Sequence, residues 1–181
     1  LTGAPLAIPF LSVVIPAYNE ETRISATLSA VLDYLRAQEY TWEIVVVDDG
    51  SVDATSAFVN AVVDIDDRVR LERVPHGGKG WAVRHGMLAA TGELRFMCDA
   101  DLAMPIPQLS RFVEQMSEEY DVVIGSREGA GATRYDESAS RHLRGRIFNL
   151  VVRLLAVRRF QDTQCGFKCF RSAAAEELFA S

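Results

Sequence analysis

Short β-branched runs alternate with stretches of 3.6-residue periodicity along this chain, and that alternation predicts a sheet whose strands are connected through helices. The runs "LSVVI" (11–15), "EIVVVD" (43–48), "VRLERV" (69–74), "LRFMC" (94–98) and "DVVIG" (121–125) read as strands, since Val and Ile suit a pleated surface buried on both faces. Between them, "EETRISATLSAVLDYLRAQ" (20–38) sets Ile24, Leu28, Val31, Leu32 and Leu35 on one helical stripe. The segments "DATSAFVNAVV" (53–63), "GWAVRHGMLAAT" (80–91) and "PQLSRFVEQMSEE" (107–119) read as further helices, with Asp53 placed as an N-cap and Gly92 as a helix end. The predicted architecture is α/β, a mostly parallel central sheet covered by helices on both sides. The long irregular stretch "REGAGATRYDESAS" (127–140) reads as a surface loop.

A chain of 181 residues with 49% hydrophobic content buries one sizeable core, so residues 1–181 are expected to form a single domain. It opens on Leu1 rather than Met and stops at Ser181 inside the helical pattern "SAAAEELFAS", which suggests a piece truncated at its C-terminus. No signal-peptide pattern is present, and "IFNLVVRLLAV" (147–157) is too short to span a bilayer and contains Arg153. Three cysteines, Cys98, Cys165 and Cys169, do not make a disulfide framework and fit a reducing, cytoplasmic compartment. Cys165 and Cys169 lack the second Cys or His pair that a structural zinc site needs.

Charge is distributed unevenly. Residues 1–126 hold 9 Lys and Arg against 19 Asp and Glu, while residues 127–171 hold 10 against 4. A basic segment inside an acidic protein serves either a local anion, such as a phosphate or an anionic membrane surface, or a solvated helix face; it argues against a general nucleic-acid surface.

Ligands of parallel α/β sheets collect at the carboxyl ends of the strands. There this chain carries "PAYNEE", "DDGSVD", "HGGKG", "DADL" and "GSR". On an extended segment, residues i and i+2 point to one side, so Asp99 and Asp101 are expected to face one hard cation with Ala100 turned away. The alternative is a helix cap plus a solvated loop acid. "VVVDDGS" offers two acids where a base or ribose can be hydrogen-bonded, and "HGGKGWA" places Lys79 at a helix N-terminus that favours anions. The Walker A spacing is missing, and no Gly-x-Gly-x-x-Gly follows the first strand. The pattern points to a nucleoside diphosphate with Mg²⁺ or Mn²⁺.

In order along residues 11–170, "VVIPAYNEE", "EIVVVDDGSVDAT", "GGKGWAVRHGMLAATGE", "DADL", "VVIGSR" and "DTQCGFKCF" together resemble the family 2 glycosyltransferases of GT-A fold, which use nucleotide-sugar donors. "DTQCGFK" with "GGKGWAVRHGM" is most similar to the dolichyl-phosphate glucosyltransferase branch, whose members move glucose from UDP-glucose to a polyprenyl phosphate. The resemblance implies that Pro16, Tyr18 and Glu20 line the base and ribose pocket. It makes Asp49 the main partner of the base with Asp48 in support, and sets Lys79 against the base or diphosphate. Asp99 and Asp101 become the DxD motif, with Ala100 between them in the donor site and Asp101 in direct contact with metal. Many polyprenyl-phosphate mannose synthases, which use GDP-mannose, read Asp-Ala-Asp-Leu-Gln, with the Gln helping to bind metal; here Ala103 stands in that place.

The same resemblance makes Arg127, Arg141 and Arg144 the residues that grip the acceptor phosphate, and a guanidinium fork suits that geometry. Asp162 and Gln164 are expected to shape the sugar pocket, although Asp162 equally fits a turn or helix cap. Catalysis is expected to rest on Asp101, Arg127, Asp162 and Gln164, without a carboxylate base, because a phosphate monoester is already anionic near neutral pH. Peripheral or anchored contact with the cytoplasmic face of a membrane follows from a lipid acceptor. Two other classes stay open: a sugar nucleotidyltransferase, whose Gly-rich loop would follow the first strand, and a non-catalytic nucleotide-sugar sensor, which would not need the metal pair.

Overall fold

A computed structural model of the chain describes residues 8–116, 120–126 and 165–180. The expected strands form as β1 (Leu11–Ala17), β2 (Trp42–Asp48), β3 (Val69–Arg73), β4 (Leu94–Met97) and β5 (Val122–Ile124). A further strand, β6 (Lys168–Arg171), gives a six-stranded sheet of order β3-β2-β1-β4-β6-β5. β1 pairs in parallel with β2 and β4, and β2 with β3, whereas β6 runs antiparallel to both β4 and β5. "KCFR" carries too little periodicity to read as a strand; its pairing with β4, where Phe96 faces Cys169, fixes its state.

All residues of β1 and β2 are buried, as expected for central strands covered on both faces. Their period-two alternation sorts them into two cores. Val13, Ile15, Ile44 and Val46 pack with α1 (Ile24–Arg36) and with Val59 of α2 (Thr55–Val63). Val14, Val45 and Val47 pack on the other face with Ala82, Val83 and Met87 of α3 (Lys79–Ala89) and with Ala175 of α5 (Ser172–Ala180). The stripe Ile24, Leu28, Val31, Leu32 and Leu35 is buried as predicted. α1 starts at Ile24 rather than Glu20, because residues 20–23 form a turn in which the Ile24 and Arg23 amides both donate to Glu20 O. Of the helix expected over 107–119, the described part forms a 3-10 turn, Ile106–Gln108, followed by α4 (Leu109–Gln115), and 117–119 lie outside the described residues.

Two local expectations change. Asp53 lies one residue before the helix-flanking Ala54, yet its Oδ1 still accepts the Thr55 amide at 3.0 Å, so it caps α2 from one position further out. Gly92 does not end α3, which stops at Ala89. It instead passes so close to β1 that a Cβ would fall 2.6 Å from Ser12 N, and its amide donates to Ser12 Oγ at 2.8 Å.

The same end of the sheet buries a polar cluster. Glu43 Oε1 accepts from Ser12 Oγ at 2.6 Å and from the Thr91 amide at 2.7 Å, and Arg70 pairs with Oε2 at 3.0 Å. Burial alone would raise the Glu43 pKa, but these hydrogen bonds and the Arg70 charge outweigh it and hold the carboxyl below its ordinary range. Burial pushes the Cys98 thiol up, and that of Cys169 up to about 12, so neither is a ready nucleophile. Among the described residues no helix is long and apolar enough to cross a membrane.

Candidate active site

The β1–β4 ladder stops at Val14↔Met97, while β1–β2 pairing continues to Ala17↔Asp48. The end of β1 therefore loses one neighbour, and a cleft opens at the carboxyl edge, the place expected for a ligand in a parallel sheet. Pro16, which lacks an amide donor, lies in this unpaired stretch on the β4 side, where a missing donor breaks no ladder. The resulting cavity, about 240 Å³, is lined by Pro16 and Ala17 at the end of β1, by Tyr18 and Glu20 after it and by Asp49 after β2. His76, Gly78, Lys79 and Ala82 contribute after β3, and Asp99, Ala100 and Asp101 after β4. Four of the five strand ends singled out above thus meet at one cavity; of the fifth, Gly125 packs toward Cys165.

The rim is tied together by its own polar groups. Asn19 adopts a left-handed backbone, φ 53°, which its side chain supports by accepting the Val52 amide at 3.0 Å, while its own amide donates to Ser51 Oγ at 2.9 Å. The Glu20 amide donates to Thr55 Oγ1 at 2.8 Å. These bonds lock the loop after β1 to the loop after β2. Tyr18 stacks on His76 with centroids 4.2 Å apart, joining the loop after β1 to the one after β3.

The adjacent acids after β2 divide their work. Asp48 is fully buried and is not among the lining residues; it accepts from the Ser51 amide at 2.9 Å and from Ser56 Oγ, holding the β2–α2 turn. Asp49 reaches the cavity wall. Its oxygens accept the Gly77 and Gly78 amides at 2.8 and 2.9 Å, and His76 Nδ1 lies 2.8 Å from Oδ2. Asp49 therefore also shapes the loop that delivers Lys79, with Gly78 at φ 91° turning the chain into α3.

The extended Asp99–Asp101 segment foreseen from the sequence is replaced by a turn. β4 ends at Met97, Leu102 N donates to Asp99 O at 3.1 Å, and Leu102 sits at φ 46°, a region leucine rarely enters. Thr27 of α1 donates to Ala100 O at 2.5 Å and so pins the turn from below. Asp99 Oδ1 lies 2.7 Å from Lys79 Nζ, and Asp101, exposed, accepts the Ala103 amide on Oδ1 at 3.0 Å. Among the described residues no group of three or more His, Cys, Asp or Glu is placed to hold a metal ion. Two carboxylates on one cavity fit a hard divalent ion that completes its oxygen shell with water and substrate phosphates, but not a closed protein cage.

The family model for glycosyl transferase family 2 matches residues 12–179. The chain belongs to this family. A dolichyl-phosphate beta-glucosyltransferase of Drosophila melanogaster is 39% identical over 94% of this chain and 57% of its own length, and the Homo sapiens enzyme of that name is 36% identical over 94% and 57%. The chain thus spans a little more than half the length of these relatives. Two solved structures share the fold. One is a mannosyltransferase from Pyrobaculum calidifontis in complex with GDP-Man and Mn²⁺ (TM-score 0.63, 23% identity, 96% of this chain and 48% of that one). The other is a glucosyl-3-phosphoglycerate synthase from Mycobacterium tuberculosis with Mn²⁺, UDP-glucose and glycerol 3-phosphate (0.63, 22%, 91% and 57%). The α/β sheet is accordingly of the GT-A type.

Of the residues named from the sequence, Pro16, Tyr18, Glu20, Asp49, Lys79, Asp99, Ala100 and Asp101 line one cavity and Asp48 lies beneath it. Arg127, Arg141, Arg144, Asp162 and Gln164, with the segments 127–140 and 147–157, lie outside the described residues. Sequence reasoning passed over Asn19, whose tolerance of left-handed backbone was its only signal, and Gly166. A Cβ on Gly166 would fall 1.9 Å from Asp99 Oδ2.

Proposed function

We propose that this chain is the donor-binding catalytic part of an inverting glycosyltransferase that moves glucose from UDP-glucose to a polyprenyl or dolichyl phosphate at the cytoplasmic face of a membrane. The observation that carries this reading is the meeting of Asp49, Lys79, Asp99 and Asp101 at one cavity of a family 2 chain. The relatives named dolichyl-phosphate beta-glucosyltransferase support glucose and the lipid phosphate over other pairs. Ala103 gives Asp101 only a backbone amide, which leaves the Gln of the mannose synthase pattern without a counterpart and favours the glucosyl reading.

In this reading Tyr18 and Glu20 flank the nucleoside, Asp49 accepts from the base, and Lys79 faces the diphosphate. Asp99 and Asp101 would hold Mg²⁺ or Mn²⁺, which when bound stabilises the negative charge of the departing UDP. An acceptor phosphate oxygen forms the new bond to the anomeric carbon as the bond from that carbon to the UDP oxygen breaks. Because the acceptor is already anionic, no side chain has to remove a proton. Arg127, Arg141 and Arg144 orient the acceptor phosphate, and Asp162 and Gln164 border the sugar. The rate gain then comes from orientation and from charges already in place.

Calorimetry on the full-length protein tests the donor half of this proposal. UDP should bind more tightly than GDP, and more tightly with Mn²⁺ than with a chelator. Equal affinities across all four conditions would overturn it.

A further inference from the structure

We propose that Gly166 is a positioning residue for Asp99, its missing side chain being what allows the Asp99 carboxylate to face the donor cavity beside Lys79. The inference deepens the donor-site reading and rests on it.

Space decides the argument. A Cβ on Gly166 would lie 1.9 Å from Asp99 Oδ2, 2.3 Å from Cγ and 2.9 Å from Oδ1, all far inside contact distance. One partner has to yield, and the surroundings say which. Gly166 stands between Cys165 and Phe167, both 1% exposed. Phe167 packs edge-on against Phe96 and Phe112, with centroids 4.9 and 6.1 Å away, and its carbonyl accepts the Gly125 amide at 3.0 Å. The pairing of β6 with β4 begins two residues after Gly166. The backbone is therefore held from both sides, whereas the Asp99 carboxylate ends a two-torsion side chain that is 21% exposed. A methyl group on residue 166 displaces the carboxylate, and with it the 2.7 Å pair to Lys79 Nζ. β6 thus does more than extend the sheet: it brings a surface without side chain against the first acid of the pair.

The test is a double-mutant cycle on the full-length protein: wild type, Gly166→Ala, Asp99→Ala and the two together. In thermal unfolding without ligand, Gly166→Ala should lower Tm by about 2–4 °C in the Asp99 background and by much less when residue 99 is Ala, where the added methyl finds space. Calorimetry with UDP and Mn²⁺ should show Gly166→Ala and Asp99→Ala each weakening binding at least about fivefold, with the double variant no weaker than Asp99→Ala alone. Equal Tm losses in both backgrounds, or wild-type UDP affinity in Gly166→Ala, would overturn the inference. A wild-type protein indifferent to Mn²⁺ would overturn the donor reading instead, and the ligand-free cycle would still decide whether Gly166 and Asp99 are coupled.

Discussion

Lys79 Nζ lies 2.7 Å from Asp99 Oδ1, joining the first residue of α3 to the turn after β4 across the floor of the cavity. The lysine is 62% exposed, so the pair adds little to stability; its consequence is placement, because one cation neutralises an acid and, in the proposed donor reading, also faces the diphosphate. Lys79→Ala should weaken Mn²⁺-supported UDP binding about tenfold, roughly 1.4 kcal/mol, while Lys79→Arg keeps most of the affinity. Calorimetry on both variants checks this, and equal losses would show that charge alone is not the requirement.

Asp101 is the more exposed acid, and among the described residues its Oδ1 accepts the Ala103 amide, which leaves a carboxylate with further acceptor capacity for an ion. Asp101→Asn should cut the Mn²⁺-dependent part of UDP affinity and lower turnover at least about tenfold, with affinity in chelator unchanged. Unchanged turnover in the variant would remove Asp101 from the metal site.

The Glu43 cluster, at the opposite end of the sheet, sets part of the acid limit of stability. The folded pKa of Glu43 lies below its ordinary 4.5, so its contribution is complete above that value and is lost as pH falls through the folded value. Glu43→Gln should therefore cost about 1–2 kcal/mol at pH 7, and its deficit should shrink below about pH 4. Denaturant unfolding at both pH values measures it; a deficit that stays constant would contradict the assignment.

The acceptor side rests on residues chosen from sequence. Arg141→Lys should raise KM for polyprenyl phosphate and leave UDP affinity nearly unchanged, because charge is kept and the planar fork is lost. Arg159→Lys, another arginine of the basic segment 127–171 that carries no assigned role, serves as the control. Kinetics varied in each substrate would refute the role if both variants behave alike.

What the sequence made legible was what local periodicity and residue chemistry determine. The α1 stripe from Ile24 to Leu35, the buried strand "EIVVVD" and the polar strand ends are all set by neighbours close along the chain. What stayed hidden depends on partners far along the chain. The "DADL" turn takes its shape from Thr27 holding Ala100 O, a contact across 73 residues, and from the left-handed Leu102, neither of which a two-residue spacing rule detects. β6 has four residues and becomes a strand only between β4 and β5. Gly166 then gains its meaning from that pairing, since nothing in "QCGFK" says that an aspartate some 67 positions earlier lies against its Cα.

Transfer itself is the most direct test of the central claim. Full-length protein in native membranes, given Mn²⁺, a short polyprenyl phosphate and either radiolabelled UDP-glucose or GDP-mannose, should convert label from UDP-glucose into a solvent-extractable lipid, and Asp101→Asn should abolish most of it. Release of pyrophosphate without a labelled lipid, or a labelled lipid formed from GDP-mannose alone, would contradict the account.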